Sequence, residues 1–149
     1  MKRALAVGVA FVSIALLVSG CGSSRQTTSL PGLTATRLVK LKTIVRVEAR
    51  TLGDAHPSSV MVYATQAREA NIATGSGARN PVRQRVYLVV ARGYFSCYGC
   101  DPSAGSGPAS GEIMTLLLDR ETLLGVCCGG LPSHVDTSRV GPGLRLVLG

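Results

Sequence analysis

The chain has no tryptophan and only two phenylalanines, so any core it builds must be largely aliphatic. Acidic residues are scarce. Eight Asp and Glu stand against sixteen Lys and Arg, leaving a formal net charge of +8. Charged residues of both signs make up only 16% of the 149 positions, and mean hydropathy is +0.30. Such a chain is too apolar to remain disordered, and it is too short for two ordinary domains. Gly-x-Ser-x-Gly, His-Glu-x-x-His, the P-loop and the dinucleotide fingerprint are all missing. The sequence therefore carries none of those signatures of hydrolase, zinc-protease or nucleotide chemistry.

What is present starts at the N-terminus. Lys2 and Arg3 precede an uncharged stretch, Ala4 to Ser19, of sixteen residues. A membrane-spanning helix needs about 20 apolar residues. A short basic region followed by a shorter apolar run predicts a secretory signal over 1–20. The basic pair favours retention of that end in the cytoplasm and export of the remainder.

The run ends Val18-Ser19-Gly20-Cys21. This resembles the lipobox of bacterial lipoproteins: an aliphatic residue, two small residues, then cysteine. The resemblance covers residues 1–21. It implies that Cys21 becomes the mature N-terminus, carrying thioether-linked diacylglycerol and commonly an N-acyl chain such as palmitate. Two or more chains anchor a protein stably, whereas one does so marginally. The expected location is the extracytoplasmic face of the cell membrane, in the cell envelope, with the membrane itself as first partner. Nucleic acid is then excluded as a partner by compartment, and no cofactor beyond the lipid is expected.

After the signal come a tether and one domain. Residues 22–33 are polar with Gly and Pro, which predicts a flexible link; with the lipidated Cys21 that the resemblance implies, 21–33 form the anchor and tether. Residues 34–149 are expected to form a single domain. Leu38, Leu41, Val45, Ala49 and Leu52 recur at spacings of three and four, predicting a helix over 34–52 that stops at Gly53. The β-branched run Thr43–Val47 also permits a strand, and helix is the favoured reading. Ser59 to Thr65 alternates as a strand should. Thr65 then caps a short helix, Gln66 to Thr74, ending at Gly75. Val82 to Phe95 is the clearest strand, with Gly93 a candidate bulge. Residues 101–111 read as an open loop. Ile113 to Leu118 and Leu123 to Cys128 form a hairpin around the turn Asp119–Thr122, and Leu144 to Leu148 is a last short strand. The expected fold is α+β: an N-terminal helix on a small, mostly antiparallel sheet of about four strands, braced by disulfides. The hairpin at 113–128 resembles PepSY-like extracytoplasmic domains. Val86–Phe95, Gly111–Leu118 and Gly141–Leu146 resemble stretches of small exported actinobacterial proteins. Neither resemblance implies an activity.

Besides Cys21 there are Cys97, Cys100, Cys127 and Cys128. An even number in an exported chain predicts two structural disulfides. Pairing within Cys97/Cys100 and within Cys127/Cys128 needs a strained vicinal bridge. Cross-pairing, from the end of the long strand to the end of the hairpin, is therefore the favoured pattern. Two other readings stay open. Cys97-Tyr98-Gly99-Cys100 has the spacing of a redox pair, though Asp101-Pro102 follows where a helix N-terminus would activate the first thiol. A four-thiolate zinc site is disfavoured by the adjacent second pair. No metal is expected.

The other polar candidates are weaker. His56 and His134 sit beside turn residues, with no partner at motif spacing. Asp101, Glu112, Asp119 and Glu121 surround one hairpin and read as solvated turn charges. Basic charge concentrates before Arg92, so Arg46, Arg50, Arg83 and Arg85 form a candidate basic face for anionic envelope polymers or headgroups. Tyr87, Tyr94, Phe95 and Tyr98 cluster in sequence, and core packing is favoured over a binding rim. The expectation is a non-catalytic binding or modulating module of the envelope, acting on such polymers or on another envelope protein. The enzyme alternative is thiol–disulfide exchange by Cys97 and Cys100.

Overall fold

The computed structural model describes residues 26–77, 83–97 and 108–149, with the side chains of 127–129 excepted. The signal segment, Cys21, Tyr98, Cys100 and Asp101 lie outside the described residues. In chain order the elements are β1 (Gln26–Thr27), α1 (Ala35–Thr51), β2 (Ser59–Gln66), α2 (Ala67–Thr74), β3 (Arg85–Cys97), β4 (Ala109–Asp119), β5 (Gly125–Gly130), a 3-10 turn at Thr137–Arg139, and β6 (Gly143–Arg145).

The six strands form one mixed sheet in the order β1-β6-β2-β3-β4-β5. The α+β class stands, but the sheet has six strands where about four were expected. The last short strand expected at Leu144–Leu148 is observed as β6, Gly143–Arg145, whereas β1 was invisible locally because it is only two residues long. They pair with each other in parallel, while β2, β3, β4 and β5 pair antiparallel down the sheet.

Helix wins over strand at 35–51 because only the helix sets Leu38 and Leu52, three residues away, on the same side as the fully buried Leu41, Val45 and Ala49. Thr34 caps it, accepting the Arg37 N–H at 3.4 Å, and Gly53 follows with φ +95°. The second helix is capped at Gln66 without a side-chain bond, so the expected Thr65 cap is corrected: Thr65 is still paired to Val86 in the sheet. Gly75 ends this helix in the left-handed region, φ +66°. That position has no steric penalty for glycine.

Each sheet face has its own apolar cluster. On one face Val60, Val62, Tyr87, Val89, Ala91, Met114, Leu116 and Leu118 meet α1. On the other Tyr63, Val86, Leu88, Val90, Ile113 and Leu117 meet the alanines of α2 and Val135 and Val140 near the 3-10 turn. Val86 to Ala91 are consequently buried without interruption, as expected of a strand covered on both faces. The anticipated bulge is present: the β3–β4 register shifts between Arg92 and Phe95. The 101–111 loop is shorter than expected, since β4 already begins at Ala109 opposite Cys97.

The predicted tether is also corrected. Residues 26–33 are strapped to the domain. Leu30 is buried in the α1-side cluster. The Pro31 carbonyl accepts from the Tyr87 hydroxyl at 2.9 Å and from the Arg120 guanidinium at 2.8 Å. Gly and Pro here shape a docked turn; the polar composition misled because the burial rests on two leucines, Leu30 and the partly buried Leu33.

Candidate functional site

The end of the sheet where β3 terminates brings together several of the residues singled out above. Leu52, just past α1, accepts the Ser96 N–H at 2.7 Å, which ties the helix to the last turn of β3. Asp54 then braces the bulge. One carboxylate oxygen accepts the Tyr94 N–H at 2.9 Å and the other the His56 N–H at 2.8 Å. Gly93 permits this, since a Cβ there would lie 2.0 Å from the Asp54 carboxylate. Around the bulge lies an open concavity of about 430 Å³ lined by Asp54, His56, Ser58, Arg92, Tyr94 and Glu112 among others. Its chemistry is that of a polar surface cleft with one exposed aromatic ring. A second concavity of about 250 Å³ lies between α2 and β4, with Asn71, Thr115 and Leu131 in its wall. Thr115 there donates its hydroxyl to the Gly130 carbonyl at 3.3 Å.

Cys97 closes β3. It is not a free, titrating thiol, and its interaction partner lies outside the described side chains. No disulfide is found among the described residues. The ladder nevertheless decides against the favoured cross-pairing. Cys127 is in register with Leu117, and Leu117 with Leu88. Cys97 is nine residues further along β3, roughly 25–30 Å away at about 3.3 Å per residue. Bridged Cα atoms lie within about 7 Å. Neither Cys127 nor its neighbour Cys128 therefore reaches Cys97. Sequence reasoning missed this because it aligned the ends of two elements, whereas the hairpin return runs beside β4 at the level of the first half of β3.

The four arginines do not form one face. Arg46 and Arg50 lie one turn apart on α1. Arg83 and Arg85 lie at the start of β3, beside the other end of the helix, where Arg37 donates to the Arg120 carbonyl. Arg85 is paired to Glu121 at 3.0 Å with both side chains exposed. Of the aromatic cluster, Tyr87 and Phe95 are core residues and Tyr94 is 83% exposed, so among the described residues of the cluster Tyr94 is the ring free to contact a partner.

Among the acids, Asp119 organises the β4–β5 turn. One oxygen accepts the Glu121 and Thr122 N–H groups at 2.9 Å and the Thr122 hydroxyl at 3.0 Å. The other accepts from Gln84 at 3.3 Å. These bonds, led by the Thr122 N–H, lower its pKa to about 2. Asp136 plays the same part at the 3-10 turn, where the Ser138 N–H lowers its pKa. His56 and His134 are both exposed. Among the described residues no group of three or more His, Cys, Asp or Glu is gathered at metal-binding distance. No helix among them is long and apolar enough to cross a membrane. Comparison with protein-family models, curated proteins and solved structures finds no match to this chain.

Proposed function

We propose that this is a membrane-anchored lipoprotein of the cell envelope whose single domain binds or modulates a partner close to the bilayer. The observation that carries the reading is the sequence Val18-Ser19-Gly20-Cys21 behind a basic pair and an uncharged run. The docked strap sharpens it. Four residues separate Cys21 from Gln26, the first residue of β1, and the five Cα-to-Cα steps span at most about 18 Å. An anchored domain is thus held against the membrane surface. Labelled palmitate should enter the wild-type protein and not Cys21→Ala. Equal incorporation into both refutes the reading.

The second reading, thiol–disulfide exchange by Cys97 and Cys100, is favoured by one observation: the strand register leaves Cys100 as the near neighbour of Cys97 in sequence and removes Cys127 and Cys128. Under it, the protein catalyses insulin reduction and Cys97→Ser abolishes that activity. Under the binding reading the wild type and Cys97→Ser are both inactive in the assay.

A further inference from the structure

We infer that the outward face of α1 is a docking surface for anionic lipid headgroups, which deepens and rests on the anchoring reading. The stripe Leu41, Val45 and Ala49 is turned into the core. The opposite stripe presents Val39, Lys40, Thr43, Val47 and Arg50, all exposed, with Arg46 on its shoulder. Val39 and Val47 are 65% and 56% exposed. Two β-branched apolar side chains two turns apart, set among cations, match an interfacial helix: apolar groups enter the headgroup boundary while basic stems reach the phosphates. The helix carries five basic residues and one acid, Glu48. Arg46 also donates to the Gly149 carbonyl at 2.7 Å, which keeps the C-terminal segment and its exposed Val147 beside this face.

Charge selects this side of the sheet. The helix on the other face, α2, bears one basic residue, Arg68, and one acid, Glu69. Near the start of β3, Arg85 is already paired to Glu121. Reach is compatible. The outer surface of a helix lying on a sheet stands roughly 15 Å from the sheet plane, from a layer spacing of about 10 Å and a helix radius of about 5 Å. The chain between Cys21 and Gln26 spans at most about 18 Å. An anchor at Cys21 can therefore hold α1 flat against the bilayer.

The absence of tryptophan provides a clean probe. Val47→Trp and, on the opposite face, Ile72→Trp are each placed in the full-length protein expressed with its signal and reconstituted into vesicles. One set is phosphatidylcholine alone and the other contains phosphatidylglycerol, both with brominated acyl chains. The expected result is quenching of Val47→Trp in the anionic vesicles only, reversed by high salt, with Ile72→Trp unquenched throughout. Neutralising Lys40 and Arg50 to Gln should lower the docked-to-undocked ratio roughly fivefold for each charge. The mass of the same preparation reports acylation. Acylated Cys21 with Val47→Trp open to an aqueous quencher in all vesicles overturns the docking face alone. Unmodified Cys21 with Val47→Trp still quenched refutes the anchor and upholds the face. Shielding by a soluble polyanion but not by anionic vesicles assigns the face to an envelope polymer and overturns the lipid inference.

Discussion

Replacing Gly93 with alanine tests how the β3 bulge is held. The added methyl would lie 2.0 Å from an Asp54 oxygen and 3.1 Å from Phe95 Cζ. The carboxylate must move and release the Tyr94 and His56 N–H groups. Both bonds are near solvent, so losing them costs about 1 kcal/mol. Crowding of the buried Phe95 ring adds about 1–2 kcal/mol, the usual scale of an overpacked site. Gly93→Ala should therefore destabilise by about 2–3 kcal/mol. With a urea dependence of about 1.5 kcal/mol/M, the midpoint falls by roughly 1.3–2 M. Asp54→Ala alone should cost about 1 kcal/mol. The double variant is the critical measurement. With the carboxylate gone only the Phe95 contact remains, so Gly93→Ala in the Asp54→Ala background should cost about 1–2 kcal/mol, less than its full effect in the wild type. Urea unfolding followed by far-UV circular dichroism measures all three, and the non-additivity is the coupling energy. If Gly93→Ala shows its full effect in the Asp54→Ala background, the collision with Asp54 is not what requires glycine, and the reasoning fails.

Leu41→Ala empties a fully buried position beneath α1 and should lose about 2–5 kcal/mol in the same titration; a change under 1 kcal/mol would place the helix elsewhere. Asp119 has its pKa lowered to about 2 from 3.8, so its contribution is present above about pH 4 and disappears as pH falls through about 2. Asp119→Asn should flatten that acid limb in a pH series of thermal unfolding, while an unchanged limb would show that the turn bonds contribute nothing. Arg85→Ala removes an ion pair whose side chains are 64% and 76% exposed, and stability should change by no more than about 0.5 kcal/mol.

Much of this fold is periodic and therefore legible. Leu41, Val45 and Ala49 announce a helical face at spacings of four, and that is the face the sheet covers. Val86, Leu88 and Val90 alternate with Tyr87, Val89 and Ala91, and the two sets enter separate clusters on opposite faces. Thr34, Gly75 and the Asp119 turn are local chemistry readable without neighbours. Of the candidate site residues, the basic face was half legible: Arg46 and Arg50 share a helix face because they are four apart, but their distance from Arg83 and Arg85 depends on how α1 lies along β3. The role of Asp54 left no trace in the sequence, because its partners Tyr94 and Gly93 come from a distant strand.

The amino-acid order alone determined where most helices and strands run, β1 excepted, because periodicity, caps and turn residues act over a few neighbouring positions. Tertiary structure alone decided which segments meet. Gln26 pairs with Gly143 from the far end of the chain, Leu30 is buried by a strap that composition reads as a linker, and Cys127 is in register with the middle of the sheet rather than with Cys97. Such pairings follow from packing both faces of one sheet at once, a condition that no short window of sequence contains.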